Sequence, residues 1–189
     1  MNTEVSLREF EEMQEVPSRP PVEFEGQNGL VLKQLVDWDA QELLQFIEAN
    51  REANEEFASQ LNQIQTEYDA LQMIKNPHFA TFGGRQGTAG PIAALVTVEQ
   101  ETEDRVSIGF VVDGKFKRQG IATNAVTTIS QNLLRTRQFN TVRCYVLHEN
   151  KINRMLLEKC GFSLAGERPN VHLFYDLDEP LSETQISNT

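Results

Sequence analysis

The chain has little of several things, and each scarcity narrows its function. Two cysteines in 189 residues, Cys144 and Cys160, supply neither a disulfide framework nor the spacing of a metal site. They read as reduced, partly buried thiols. No apolar run approaches the length of a membrane span, and the first residues are polar and acidic, so neither a spanning helix nor a cleaved secretory signal is expected. Cationic residues are few: 17 Lys and Arg stand against 28 Asp and Glu, a formal net charge of −11. Nucleic acid needs a cationic face, so it is not the expected partner, whereas a cationic or amine substrate is compatible. The three histidines, His78, His148 and His172, are scattered, and the sequence identifies no partner for any of them. No internal repeat is present.

What is there suffices for one domain with a buried core: 39% hydrophobic residues, among them 11 phenylalanines. Residues 1–29 are rich in glutamate and then broken by Pro17, Pro20, Pro21, Gly26 and Gly29. They read as an acidic extension, with a short helix over Val5 to Met13. The folded domain is expected over 30–178, followed by a frayed tail at 179–189.

Within that domain Leu30 to Leu35 reads as a strand. Asp37 or Asp39 is placed to cap a helix whose apolar positions Leu43, Leu44, Ile47 and Phe57 recur at helical spacing. A second helix, "EYDALQMIKN", stops before Pro77. The period then turns to that of strands in "FATFGG", "IAALVTVEQ" and "RVSIGFVV". Ile121, Ala125, Val126, Ile129, Leu133 and Leu134 mark one face of the next helix. The strand "TVRCYVLH", a helix capped by Asn150 and ended by Gly161, and the strand "HLFYDL" complete the order. This predicts an α+β domain of three layers, its mainly antiparallel sheet containing one parallel strand–helix–strand unit.

One stretch stands out from the acidic background. "DGKFKRQGIATNAV", Asp113 to Val126, sets Lys115, Lys117 and Arg118 directly before a helix. A helix's first amides point outward and its dipole adds positive charge there, so a glycine-opened basic loop at this place is built for a phosphate. It lacks the Gly-Lys-Ser/Thr ending of a Walker loop and the repeated glycines of a dinucleotide fingerprint. A solvated basic turn ahead of a crossover helix fits these residues equally well.

A second motif lies downstream: Asn150, Asn153, then Leu157-Glu158-Lys159-Cys160-Gly161-Phe162. Together with Lys117-Arg118-Gln119-Gly120-Ile121-Ala122, and in this order, it resembles the GNAT superfamily of N-acetyltransferases, in particular the RimJ/RimL-like branch that acetylates ribosomal-protein N-termini. The resemblance spans Leu30 to Leu177 by element order and is sharp from Ile108 to Phe162. It implies a three-layer α/β/α fold whose parallel strands splay around acetyl-coenzyme A, or another acyl-coenzyme A, as co-substrate. By it, the backbone of Phe110, Val111 and Val112 would meet the pantetheine arm at an edge freed by a bulge. Lys117, Arg118, Gln119, Gly120, Ile121 and Ala122 would hold the phosphates, and Asn150 the other side of the arm. An amide of Val111 or Val112 would face the thioester carbonyl.

At the catalytic positions the chain departs from the pattern. Ser107 stands where such relatives often carry a glutamate, Asn153 where they carry a serine, and Leu157 where many superfamily members place a tyrosine. Ser107 and Asn153 are the candidate catalytic residues, with Glu99, Glu101 and Asp113 as substitute bases. Tyr145 and Tyr175 could line an acceptor pocket or pack the core. The resemblance implies a cytoplasmic N-acyltransferase with no metal, acting on a protein N-terminus or small amine by direct attack. It leaves homodimerisation open. A catalytically inactive acyl-coenzyme A-binding module is the second reading, motivated by Ser107 and Lys117.

Overall fold

A computed structural model of the chain describes residues 22–51, 61–136, 139–168 and 172–178. The expected helix over Val5 to Met13, the apolar position Phe57 and the tail 179–189 lie outside these residues. The chain forms strands β1 (Glu23–Glu25) and β2 (Leu30–Gln34), then helices α1 (Ala40–Asn50) and α2 (Glu67–Lys75). Strands β3 (Phe79–Gln86), β4 (Ile92–Gln100) and β5 (Arg105–Val112) follow, then α3 (Ile121–Arg135) and β6 (Thr141–Leu147). Helix α4 (Lys151–Lys159) and strands β7 (Ser163–Arg168) and β8 (His172–Asp178) close the order. Among the described residues eight strands join one sheet in the order β1-β2-β3-β4-β5-β6-β8-β7, and of their pairings only β5–β6 is parallel.

Strand alternation sorts the core into two layers of side chains. Ala94, Val96 and Val98 of β4, with Val106 and Ile108 of β5, pack against Ile121, Ala125, Val126 and Ile129 of α3 and Leu157 of α4. On the opposite face Leu95 and Val111 pack against Leu43, Phe46 and Ile47 of α1 and Ala70 of α2. Among the described residues the helices therefore lie two on each side of the sheet, the three layers expected.

Local chemistry sets the helix ends. Thr66 accepts the amide of Asp69, while the Asp69 carboxylate accepts the amide of Thr66, a reciprocal cap on α2. Asn150 caps α4 by accepting the amide of Asn153 at 3.1 Å. Gly161, at φ 91°, ends that helix in the left-handed region. Asp39 differs from expectation: its carboxylate turns back to the amide of Val36, closing the short turn Asp37–Asp39 instead of capping α1.

Two strands were not legible in the sequence. β1 is three residues long, anchored by Phe24 stacked on Phe82 with centroids 5.7 Å apart. The sheet thus begins inside the segment read as an extension. β7 is an edge strand with a register shift between Leu164 and Gly166, and Leu164 is exposed. Neither strand has a buried face long enough to write a period of two.

Ile129 is fully buried between α3 and the sheet. Ile129→Ala should lower the unfolding free energy by about 2–5 kcal/mol, read from the urea midpoint of far-UV circular dichroism.

Candidate active site

The site begins where two strands part. β5 and β6 pair from Arg105 and Thr141 to Ile108 and Cys144 and no further. Beyond that point β5 stays zipped to β4 as far as Val112, and β6 to β8 as far as Leu147. Each strand follows its outer partner, and a wedge opens between them. The bulge expected to free this edge is absent: the β4–β5 register runs without a shift from Gln100 to Ala94.

Which backbone groups face the wedge follows from one bond. The Asp113 amide donates to the Ala93 carbonyl at 2.9 Å. Antiparallel alternation then turns Val111, Gly109 and Ser107 toward β4, and turns the N–H and C=O of Phe110 and Val112 into the wedge. Val111 is thereby corrected. Its backbone belongs to the β4 ladder and its side chain is buried against α1 and α2. Of the two amides considered for the carbonyl, only that of Val112 points into the wedge, and it does so at the open end, away from the vertex at Ile108.

The wedge opens onto the basic loop. Gly120 precedes α3 in the left-handed region at φ 78°, and Arg118, a non-glycine residue, is held there too at φ 64°. The first bond of α3 runs from the Asn124 amide to the Gly120 carbonyl, so the amides of Ile121, Ala122 and Thr123 precede any intrahelical partner. Lys117, Arg118, Gly120, Ile121 and Ala122 all line the same cleft. Gln119 does not. Its side-chain amide donates to the Lys115 carbonyl at 3.1 Å, bracing the loop from behind.

The loop is also braced at its start. Asn50, 3% exposed at the end of α1, donates to Asp113 Oδ2 at 3.2 Å and accepts the Gly114 amide at 3.1 Å. The other Asp113 oxygen accepts the Lys115 amide at 2.8 Å. Asp113 is therefore a loop support and not a base. Asn50 was not anticipated, because nothing in a helix pattern distinguishes an asparagine that reaches 63 residues along the chain.

The cleft, about 1010 Å³, continues past the wedge to the other face of the sheet, where Phe79, Thr97, Glu99, Ser107 and Tyr145 line it. Asn150, Asn153 and His172 line it too, as does Cys144 at the vertex. Ser107 is 8% exposed. Among the described residues, two carboxylates beside this end of the cleft are engaged, while Glu149 lines it further along. Glu101 accepts the Tyr145 hydroxyl at 2.8 Å and pairs with Arg105 at 3.0 Å. Asp176 holds Arg143 through two bonds, over the Phe174 ring, which keeps the guanidinium firmly protonated.

The remaining sequence candidates sort by burial. Tyr175 is fully buried and its hydroxyl accepts from Arg154 at 3.1 Å, a core role. Leu157 is fully buried as well, so no side chain from that position reaches the cleft. His78 and His148 are exposed. Burial pushes the Cys160 thiol pKa up, which leaves it a poor nucleophile.

A wedge with free strand backbone, ending in exposed helix amides beside two cations, fits an extended arm carrying phosphates. The acetyltransferase (GNAT) domain family matches residues 29–163. The chain belongs to the GNAT acetyltransferase family. Its co-substrate is an acyl-coenzyme A.

Solved GNAT structures share the fold. RimL, a ribosomal-protein α-N-acetyltransferase in complex with coenzyme A, superposes with a TM-score of 0.73 at 11% identity, over 83% of this chain and 98% of that one. The microcin self-immunity acetyltransferase MccE, in complex with acetyl-CoA and AMP, gives 0.67 at 18% identity over 81% and 94%. Mycobacterium smegmatis RimJ, in complex with a CoA-disulfide, gives 0.65 at 16% over 84% and 86%. Identities this low carry the fold alone. No curated protein matches by sequence.

A Cβ added at Gly120 meets no atom within 4 Å, so Gly120→Ala is opposed only by its left-handed backbone. It should cost about 1–2 kcal/mol of stability, a fall of several degrees in Tm by calorimetry, while the fold is retained.

Proposed function

We infer that the protein transfers an acetyl group from acetyl-coenzyme A to a primary amine, by direct attack within a ternary complex. The observation that carries this reading is the continuity of one cleft from the amides of α3, through the parted strands, to Ser107 on the far face. Acetyl-coenzyme A supplies the activated acyl group as a thioester.

The chain's own residues do the rest. The amides of Ile121, Ala122 and Thr123, with Lys117 and Arg118, bind the pyrophosphate, and Gly120 leaves open space for it. The backbone of Phe110 and Val112 pairs with the pantetheine amides as an added strand. Asn150 and Asn153, at the start of α4, bound the arm from the β6 side. Of the amides aimed into the wedge, that of Phe110 is the nearer to the vertex and can stabilise negative charge on the thioester oxygen, and Ser107 lies at the acceptor end. Holding both reactants supplies much of the rate, since effective molarities of well-oriented pairs reach about 10⁵ M or more.

The acceptor is a protein N-terminus or a small amine. Structural neighbours acting on ribosomal proteins and the net charge of −11 support an acceptor that arrives as a cation. A catalytically inactive binding module is the competing reading, and Ser107 in place of a glutamate is what favours it.

Calorimetric titration with acetyl-coenzyme A should give one-to-one binding, and Gly120→Glu should abolish it by setting a negative charge against the phosphates. Amine-dependent release of free thiol, followed with a thiol reagent, should accompany binding. Binding without thiol release across a panel of peptide N-termini and polyamines would favour the inactive module.

A further inference from the structure

We propose that Glu99 is the catalytic proton acceptor for the incoming amine, acting across the β4–β5 ladder together with Ser107. This rests on the acetyltransferase reading. The two residues are direct partners in the ladder, Glu99 opposite Ser107. The bond from Asp113 to Ala93 fixes the odd-numbered pairs as the hydrogen-bonded ones, so their Cα atoms lie about 5.5 Å apart with both side chains on one face. That face is the one opposite α3 and α4, at the end of the sheet beyond the Leu95–Val111 contacts with α1 and α2.

Both side chains line the cleft, and neither makes a hydrogen bond or ion pair among the described residues. Glu99 is half-buried beside the vertex, whereas Glu149, which also lines the cleft, is exposed. Glu101 is held by Tyr145 and Arg105, Asp113 by Asn50 and the Lys115 amide, and Asp176 by Arg143. The groups facing Glu99 can be named. Phe79 is opposite it on β3 and Ser107 on β5, with Tyr145 across the cleft on β6. The cations nearest in the sheet, Arg105 and Arg143, are paired. His172 and Glu149 line the same cleft further along, and Lys117 and Arg118 stand at its phosphate end.

Such a carboxylate meets an ammonium acceptor in the form in which it arrives at neutral pH. One proton passes from the ammonium to Glu99, directly or through a water held by the Ser107 hydroxyl, and on to solvent. The freed nitrogen lone pair forms the N–C bond as the C–S bond breaks. The second nitrogen proton goes to the departing sulfur, giving amide and free thiol. Ser107, one position before the last β5–β6 ladder pair, puts this exchange beside the vertex where the arm ends.

The test compares Glu99→Gln, and Glu99→Gln combined with Ser107→Glu, against the natural chain in two measurements. Acetyl-coenzyme A affinity by calorimetry should change less than threefold in Glu99→Gln. The kcat/KM for an amine should fall about 100-fold at pH 7. The variant then depends on free amine, so its rate should rise about tenfold per pH unit below the amine pKa, and the deficit should close with rising pH. Returning a carboxylate to the same face with Ser107→Glu should recover at least tenfold. Unchanged turnover and pH profile in Glu99→Gln would overturn the assignment, as would parallel loss of affinity and activity. If the natural chain itself binds no acetyl-coenzyme A, the acetyltransferase reading fails first; if it binds and turns over, only the role of Glu99 is at stake.

Discussion

The whole site depends on one limited pairing: β5 and β6 share a ladder for four residue pairs and then separate. A sheet does not tolerate such a gap cheaply, because unpaired backbone groups lose hydrogen bonds. Here the gap is stabilised from outside. β5 has a continuous antiparallel partner in β4, and β6 has one in β8, so each keeps half its hydrogen bonds and a straight course. The exposed inner edges of Phe110 and Val112 are then free to recognise an extended amide-bearing ligand. A strand bulge is not needed to make them so.

The wedge would bind little without the loop at its open end. Arg118 and Gly120 both occupy the left-handed region, a conformation that the surroundings must enforce at the arginine. Asn50, Asp113 and Gln119 supply that enforcement through a chain of hydrogen bonds behind the loop. Since Asn50 ends α1, that helix and the basic loop before α3 are joined by hydrogen bonds. The contact is part of a buried polar network, where an unpaired group is costly.

The legibility of the molecule follows burial. Strands and helices with a full apolar face, such as β4 or α3, were readable because their periods of 2 and about 3.6 are imposed by a core. β1 and β7 were not, since a three-residue strand and an exposed edge strand bury too little to leave a pattern. Asp39 was placed correctly near a helix start, but its carboxylate satisfies the preceding turn instead. The basic loop before α3 and the Asn150 cap were visible as local chemistry. Val111 and Val112 were not distinguishable, because only the register with β4 decides which of two adjacent amides faces the wedge.

The sequence by itself determined the helix and strand types with buried faces, the cap at Asn150, and the basic loop before α3. All of these are settled by residues within a few positions of one another. The tertiary structure alone decided that Glu99 stands opposite Ser107 and that Asn50 meets Asp113. It also decided which backbone groups lie unpaired between β5 and β6. Those facts depend on register and on contacts between distant segments, which no local preference encodes. They are fixed only when both cores close on the sheet at once.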